Sequence, residues 1–216
     1  MDFSNIEPKA LWQHFAALNA VPRPSKKEER VIAFMLNFGT ALGLDTQTDA
    51  IGNVIIKKAA TAGMQDRQTV ILQSHLDMVH QKNANTVFDF DQQGIDMYQD
   101  GDWIRAKGTT LGADNGIGVA AIMALLASTD IPHPPLEAFF TIDEETGMTG
   151  AKQMDASLLN GSILLNLDTE DDDELSVGCA GGIDTNTSFA YQEIKVIDGY
   201  KLFEIQISCL LGGHSG

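Results

Sequence analysis

The chain has 216 residues, with 30 Asp and Glu against 14 Lys and Arg, and therefore a formal net charge of −16. So acidic a chain lacks the basic surface that nucleic-acid binding requires. Hydrophobic residues make up 44% of the sequence and charged residues 20%, so a folded core is expected rather than disorder. Two cysteines, and an N-terminus without the basic and apolar regions of a signal peptide, predict a cytoplasmic protein that does not associate with membranes.

The first hundred residues are predicted to form two helices and then short strands. Apolar residues recur at helical spacing over residues 8–18. Ser25 stands three residues before Glu28, the spacing of a capping box, and predicts a second helix that ends at Gly43. Short apolar runs predict strands at 54–56, at 70–72 and around 103–104.

The middle of the chain alternates buried helix and buried strand. Residues 116–126 (GIGVAAIMALL) are apolar on nearly all sides, which is typical of a buried helix. Residues 136–142 (LEAFFTI) and 162–167 (SILLNL) are continuous apolar runs, typical of strands covered on both faces. This alternation predicts an α/β fold built in layers.

The sequence pattern changes after Gly181 and Gly182. Residues 185–191 and 202–208 have the period of two that is typical of antiparallel strands with one buried face, so a second unit is predicted from residue 183. The chain stops at GGHSG, directly after a predicted strand, where a turn and a helix would be expected. This ending predicts the N-terminal portion of a longer protein.

Two candidate metal-binding segments come from a strand end and a helix start. His75 and Asp77 follow the predicted strand at 70–72 and lie on the same side of the chain, as a metal ligand and its orienting carboxylate would. The other reading of His75 is a strand-end histidine with ordinary hydrogen bonds. Asp114 precedes the buried helix among glycines, where it either caps that helix or approaches an ion.

Two acidic segments follow the apolar strands. Asp143, Glu144 and Glu145 come directly after one strand, and no Lys or Arg lies nearer in sequence than Lys152, so a cation is implied. Asp168 follows the next strand and begins an acidic run that otherwise reads as a solvated loop. Because ligands gather at the carboxyl ends of strands in α/β sheets, these four segments together predict a metal site.

The segments SHLDMV, GTTLGADNGIGVA, TIDEETGMTGA, NLDTEDDDELSVGCAGG and GGHSG resemble, in this order, the motifs of the M20 family of dinuclear zinc peptidases. Within that family they are most similar to the cytosolic aminoacyl-histidine dipeptidases, and the resemblance spans nearly the whole chain. It implies a layered catalytic domain over residues 1–182, with a mixed sheet flanked by helices. Residues 183–216 would then begin an α+β lid domain.

The resemblance implies a role for particular residues. Asp114 would bridge two zinc ions, and its peptide bond to Asn115 is expected to be cis. Asp77 would orient a zinc ligand, Glu144 would be the general base, and His214 of the lid would polarise the scissile carbonyl. The implied metal ligands are His75, Asp114, Glu145 and Asp168.

These roles imply hydrolysis of dipeptides of the Xaa-His (carnosine-like) type by a homodimer with two Zn²⁺ per site, although Mn²⁺ or Co²⁺ also suits such donors. The family's last zinc ligand is a histidine far downstream, which this chain does not supply. The remaining histidines, His14, His80 and His133, are not expected to replace it. The second zinc would be under-coordinated, and an isolated chain of this length is expected to be inactive.

Three other readings remain open. A non-catalytic metal-binding fragment would show metal-dependent stability without hydrolysis. A related cocatalytic zinc aminopeptidase or deacylase would differ in its substrates. A purely structural acidic protein would leave the acids at the strand ends unexplained.

Overall fold

The computed structural model of the chain describes residues 6–169, 173–178, 181, 183, 185–201 and 203–207. The chain divides into two compact units, residues 1–169 and residues 170–216. Among the described residues there is no helix both long enough and apolar enough to span a membrane.

The first unit alternates helices and strands in the order that the sequence predicts. Its helices are α1 (Lys9–Asn19), α2 (Glu29–Ala41), α3 (Ala113–Ala127), α4 (Glu144–Gly147) and α5 (Thr149–Lys152), and a 3₁₀ turn covers Ala156–Leu158. Its strands are β1 (Asp45–Thr48), β2 (Val54–Lys58), β3 (Val70–His75), β4 (Met97–Asp100), β5 (Trp103–Ala106), β6 (Leu136–Thr141) and β7 (Ile163–Asn166). Strands β1 and β4 carry several polar residues and were not predicted.

Five of the strands form one mixed sheet in the order β1-β2-β6-β3-β7. Strand β2 is antiparallel to both β1 and β6, whereas β3 runs parallel to its neighbours β6 and β7. Strands β4 and β5 form a separate antiparallel pair. The predicted α/β fold with a mixed sheet is confirmed.

The main core lies on the helical face of the sheet. Alternate residues of β2 and β6 point to α2 and α3, which explains why α3 is apolar on most of its surface. The opposite face is covered by a smaller cluster in which Ile55, Ile71 and Phe139 pack against Leu158 and Leu159. The two clusters fix the sheet that carries the candidate site.

The two long apolar strands differ in burial. All six residues of β6 are buried, as predicted for a strand covered on both faces. The prediction is wrong for β7, where Ile163, Leu164 and Leu165 are 39%, 53% and 49% exposed. Strand β7 pairs only with β3 within the described part of the chain and lies at the sheet edge, so a continuous apolar run did not ensure burial here.

The predicted capping box at the start of α2 is wrong. Glu28, not Ser25, occupies the N-cap position and makes no side-chain cap hydrogen bond. The hydroxyl of Ser25 donates instead to Asp77 Oδ2 at 2.8 Å. Glu28 Oε1 accepts from the backbone N–H groups of Lys26 and Asp143. The side chains of Ser25 and Glu28 therefore bond to Asp77 and Asp143, which are distant in sequence, and to the neighbouring Lys26, rather than capping α2.

The described residues of the second unit contain a turn at Asp198 and Gly199 but no strand. The predicted strand at 185–191 is absent, and residues 203–207 are not a strand either. Leu202 and Ser208, the ends of that second predicted strand, lie outside the described residues. A strand requires a ladder of hydrogen bonds to a partner, which an alternating sequence alone does not provide. The assignment of residues 183–216 to a lid stays a prediction.

Candidate metal centre

The predicted site residues of the first unit converge at one edge of the sheet. Because β3, β6 and β7 are parallel, their carboxyl ends meet at the same edge. His75 is the last residue of β3, Glu144 and Glu145 begin α4 after β6, and Asp168 follows β7. Asp114 reaches this edge from the first turn of α3.

One group of donors consists of His75, Asp114 and Asp168. His75 Nε2 lies 3.1 Å from Asp114 Oδ1 and 3.8 Å from Asp168 Oδ2. Their donor atoms all lie within 4.8 Å of one another, a spacing that one cation could bridge. Asp114 and Asp168 are partly exposed, which leaves this group open to solvent on one side.

A second group consists of His75, Glu144 and Glu145, again with donor atoms within 4.8 Å of one another. His75 Nε2 lies 3.9 Å from Glu144 Oε2. The two groups share His75. One imidazole nitrogen and several carboxylate oxygens are donors that Zn²⁺ and similar divalent ions accept.

Asp77 connects the histidine to the α4 segment. Its completely buried carboxylate accepts from the backbone N–H groups of Glu144 (3.0 Å) and Glu145 (3.2 Å) as well as from Ser25. Its Oδ1 lies 3.4 Å from His75 Nδ1, on the opposite side of the ring from Asp114. The imidazole is therefore oriented with Nε2 toward the acidic groups.

The electrostatics of the site follow from burial among carboxylates. Burial alone would lower the pKa of His75, but hydrogen bonds to Asp114 and Asp77 raise it to about 10. A cation at His75 Nε2 would have to displace that proton. Burial raises the pKa of Glu144, and the negative charges of Asp168 and Glu145 act in the same direction, while His75 opposes them.

The α4 segment is held at both ends by residues that the sequence analysis did not single out. Asn53 Oδ1 accepts from the N–H of Ile142, and its Nδ2 donates to the carbonyl of Gly150. Asp143, directly before Glu144, accepts from the hydroxyls of Thr146 and Thr149. No local sequence signal identifies this role of Asn53, because the partners at the two ends of the α4 segment lie 89 and 97 residues away.

Asn115 secures the segment after β7. Its Nδ2 donates to Asp168 Oδ1 at 2.8 Å and to the carbonyl of Leu167 at 3.0 Å. The peptide bond between Asp114 and Asn115 is cis, as the resemblance implied. Asn115, the residue next to Asp114, thus links the Asp114 segment to Asp168 through its side chain.

The other histidines lie apart from both donor groups. His14 packs edge-on against Phe38, and His80 against Phe90. His133 is buried and its Nδ1 lies 2.8 Å from the carbonyl oxygen of Pro134. None of the three belongs to a donor group among the described residues. His214 lies outside the described residues, so its role stays a prediction.

Comparison with known proteins identifies the family. The family model described as "Peptidase family M20/M25/M40" matches residues 71–204. This chain belongs to that family. The resemblance drawn from the sequence is thereby confirmed. The matched range includes both donor groups of the candidate metal centre, whereas Ser25 and Asn53 precede it.

Individual relatives match most of the chain. The cytosol non-specific dipeptidase of Escherichia coli (strain K12) is 43% identical over 215 residues, which are 100% of this chain and 44% of the relative. The crystal structure of an aminoacylhistidine dipeptidase from Vibrio alginolyticus is 50% identical with a TM-score of 0.78, over 80% of this chain and 35% of that one. An aminopeptidase PepT from Bacillus cereus is 25% identical with a TM-score of 0.64, over 77% and 44% of the two chains. The chain therefore spans less than half the length of these relatives.

Proposed function

We propose that this chain supplies a dinuclear metal centre for dipeptide hydrolysis. The observation that carries the proposal is the convergence of His75, Asp114 and Asp168 with Glu144 and Glu145 at the carboxyl edge of the sheet. His75, Asp114 and Asp168 would hold one ion, and Asp114 and Glu145 would hold the second. When bound, two such ions lower the pKa of a water molecule and polarise a carbonyl group. Zn²⁺ fits the nitrogen and carboxylate donors, and Mn²⁺ or Co²⁺ would also suit them.

The burial and hydrogen bonds of each acid suggest its proposed role. Asp77 is buried and accepts hydrogen bonds on both oxygens, so it orients rather than reacts. Glu144 is partly exposed and its pKa is raised, which suits a group that accepts a proton from the attacking water and delivers it to the leaving amine. His214 is proposed to stabilise the developing oxyanion.

The proposed substrates are dipeptides, in particular those of the Xaa-His type. Two relatives are named as dipeptidases, one non-specific and one for aminoacyl-histidine. A cytoplasmic location and a homodimer are proposed with the activity, the first supported by the cytosolic name of the Escherichia coli relative. A panel of carnosine, Gly-His, non-histidine dipeptides and N-acyl amino acids would separate this proposal from an aminopeptidase or a deacylase.

The decisive variant is Glu144→Gln. Hydrolysis of Gly-His and carnosine is measured with added Zn²⁺ or Mn²⁺ for the 216-residue chain and for the natural-length gene product, beside metal content per chain. Removal of the proton acceptor should reduce turnover by at least about 100-fold, because general-base catalysis contributes that much, while bound metal remains. Glu29→Gln, on the exposed start of α2, is the control and should retain full activity.

Two results would contradict the proposal. One is the absence of dipeptide hydrolysis by a metal-loaded natural-length protein. The other is a Glu144→Gln variant that still turns over substrate at the unmodified rate. Metal-dependent stability without any hydrolysis would favour the non-catalytic metal-binding reading.

A further inference from the structure

A single arginine lies buried beneath the metal centre. Arg23 is 1% exposed and follows α1 in the chain. Its Nη1 donates to the carbonyl oxygens of Leu76 (3.0 Å) and Asp77 (3.1 Å). Its Nη2 donates to Asn19 Oδ1 (3.0 Å) and to the carbonyl oxygen of Gly112 (2.5 Å). One guanidinium thus joins three segments that are distant in sequence.

Two of those segments carry proposed metal ligands. Leu76 directly follows His75, and Gly112 stands two residues before Asp114. The distance of 3.1 Å between His75 Nε2 and Asp114 Oδ1 depends on how these two segments are placed relative to each other. Because the donors of a guanidinium are coplanar and fixed in direction, bonds from both of its nitrogens restrict that placement more than a flexible ammonium would.

The glycines around Asp114 make room for this guanidinium. A Cβ atom at Gly112 would lie 2.6 Å from Arg23 Nη2, and one at Gly116 would lie 2.7 Å from the same nitrogen. Gly112 also has a positive φ of 72°, which a side chain would disfavour. The sequence LGADNGIG therefore brings its backbone close to Arg23 as well as presenting Asp114.

The charge of Arg23 also fits this position. Burial lowers the pKa of Arg23 to about 10, and the carboxylates of Asp77, Glu145 and Asp114 oppose that shift, so the side chain stays charged at neutral pH. Arg23 is therefore a cation close to the acids that follow β6, although it lies more than a hundred residues away in sequence. Its positive charge offsets part of the repulsion among the carboxylates.

We propose that Arg23 is a positioning residue that holds the His75 and Asp114 segments at the spacing required by a shared cation. The inference rests on the proposed function, in which these two residues bind one ion. Four hydrogen bonds of Arg23 and its close approach to two glycines, all within the first unit, support this role. No described residue of the second unit is involved.

The test compares two altered versions of this contact with a matched surface change. Arg23→Lys keeps the charge but loses the planar fork. Gly116→Ala keeps Arg23 but places a Cβ atom 2.7 Å from its Nη2, and 3.0 Å from the Phe15 ring. Co²⁺ binding to the metal-free chain is followed by visible absorption and by competition with a chelator. Arg105→Lys, which alters an exposed ion pair with Asp100, is the control.

We expect Co²⁺ affinity to fall at least about 10-fold in both variants, the scale seen when groups that orient metal ligands are removed. The visible bands should change in position or intensity, because a displaced ligand changes the coordination geometry. Arg105→Lys should match the unmodified chain in both measurements. A merely structural role would lower stability without changing the Co²⁺ bands, so unchanged bands overturn the inference.

The possible failures remain distinguishable. If Arg23→Lys does not fold, Gly116→Ala decides the question, since an alanine favours the helix in which it lies. Wild-type affinity and bands in a folded variant would overturn the role of Arg23. If the unmodified chain binds no Co²⁺, the metal-centre proposal fails instead.

Discussion

At the scale of single residues, the site depends on side chains whose partners lie far away in sequence. The spacing of His75 and Asp77 was visible in the sequence, and the structure places the Asp77 carboxylate 3.4 Å from the His75 ring. Arg23 was not visible, because its burial results from carbonyl groups 53, 54 and 89 residues away. The acids after β6 were predicted to need a cation because no Lys or Arg lies near them in sequence. Arg23 lies near them only in the folded chain, so sequence distance did not reveal it.

Replacement of Asp77 tests whether its carboxylate orients the site. Asp77→Asn would turn an acceptor of three hydrogen bonds into a group with an N–H₂ facing the N–H of Glu144 or Glu145. We expect metal affinity to fall about 10- to 100-fold, as for other groups that orient metal ligands, measured by chelator competition. Asp96→Asn, in an exposed pair with Lys107, should leave affinity unchanged. Equal affinities in the two variants would contradict the orienting role.

At the scale of elements, apolar content and spacing predicted where strands and long helices lie. They did not predict the hydrogen-bond partners at the helix start or the burial of an edge strand. Strand β6 and helix α3 appear where continuous apolar runs placed them. The capping box of Ser25 and Glu28 failed because Asp77 and Asp143 offered those side chains better partners than the helix start did. Burial of β7 failed because burial depends on neighbouring strands, which an apolar run does not specify.

The β6 strand contains an ionic contact, away from the candidate metal centre, whose contribution to stability depends on pH. Glu137 pairs with Lys57 at 3.1 Å across the sheet and accepts from the backbone N–H groups of Asn160 and Gly161. Burial alone would raise the pKa of Glu137, but these hydrogen bonds lower it. Since the folded pKa lies below the unfolded value, the stabilisation is fully present above the unfolded pKa and is lost as pH falls through the folded one.

Glu137→Gln should therefore lower the free energy of unfolding at pH 7 by about 2 kcal/mol, the scale of hydrogen bonds to a buried charge. The deficit should shrink as the pH falls below the ordinary pKa of an unfolded glutamate, about 4.3, and through the lower folded pKa of Glu137, where the carboxylate of the unmodified chain protonates. Urea unfolding at several pH values measures both effects. Glu7→Gln, in an exposed pair with Lys9, is the control and should leave the unfolding free energy unchanged at every pH. A deficit in Glu137→Gln that does not depend on pH would contradict this account.

At the scale of the whole molecule, the chain concentrates negative charge at one place on a scaffold that is already acidic. The formal net charge is −16, and five carboxylates meet at the sheet edge, those of Asp77, Asp114, Glu144, Glu145 and Asp168. Among the described residues, Arg23 and His75 offset part of this negative charge. Without a metal ion the carboxylates still repel one another, and this repulsion lowers the free energy of unfolding. The fold therefore keeps these carboxylates close together, and a bound divalent cation would balance part of their charge.

Removing the metal and adding it back should measure how much the repulsion among these carboxylates lowers the free energy of unfolding. At a free Zn²⁺ or Mn²⁺ concentration 100 times the dissociation constant, the chain should gain about 2.7 kcal/mol in unfolding free energy over the chelator-stripped form, seen as a higher Tm. Added NaCl should also raise the Tm of the stripped chain, by screening, but should have little further effect once metal is bound. Asp168→Asn, which removes one donor of the first group, should lose most of the metal response while keeping the salt response. If NaCl at matched ionic strength reproduces the whole effect of the divalent ion, the acids at the sheet edge act as a screened surface rather than as a metal site.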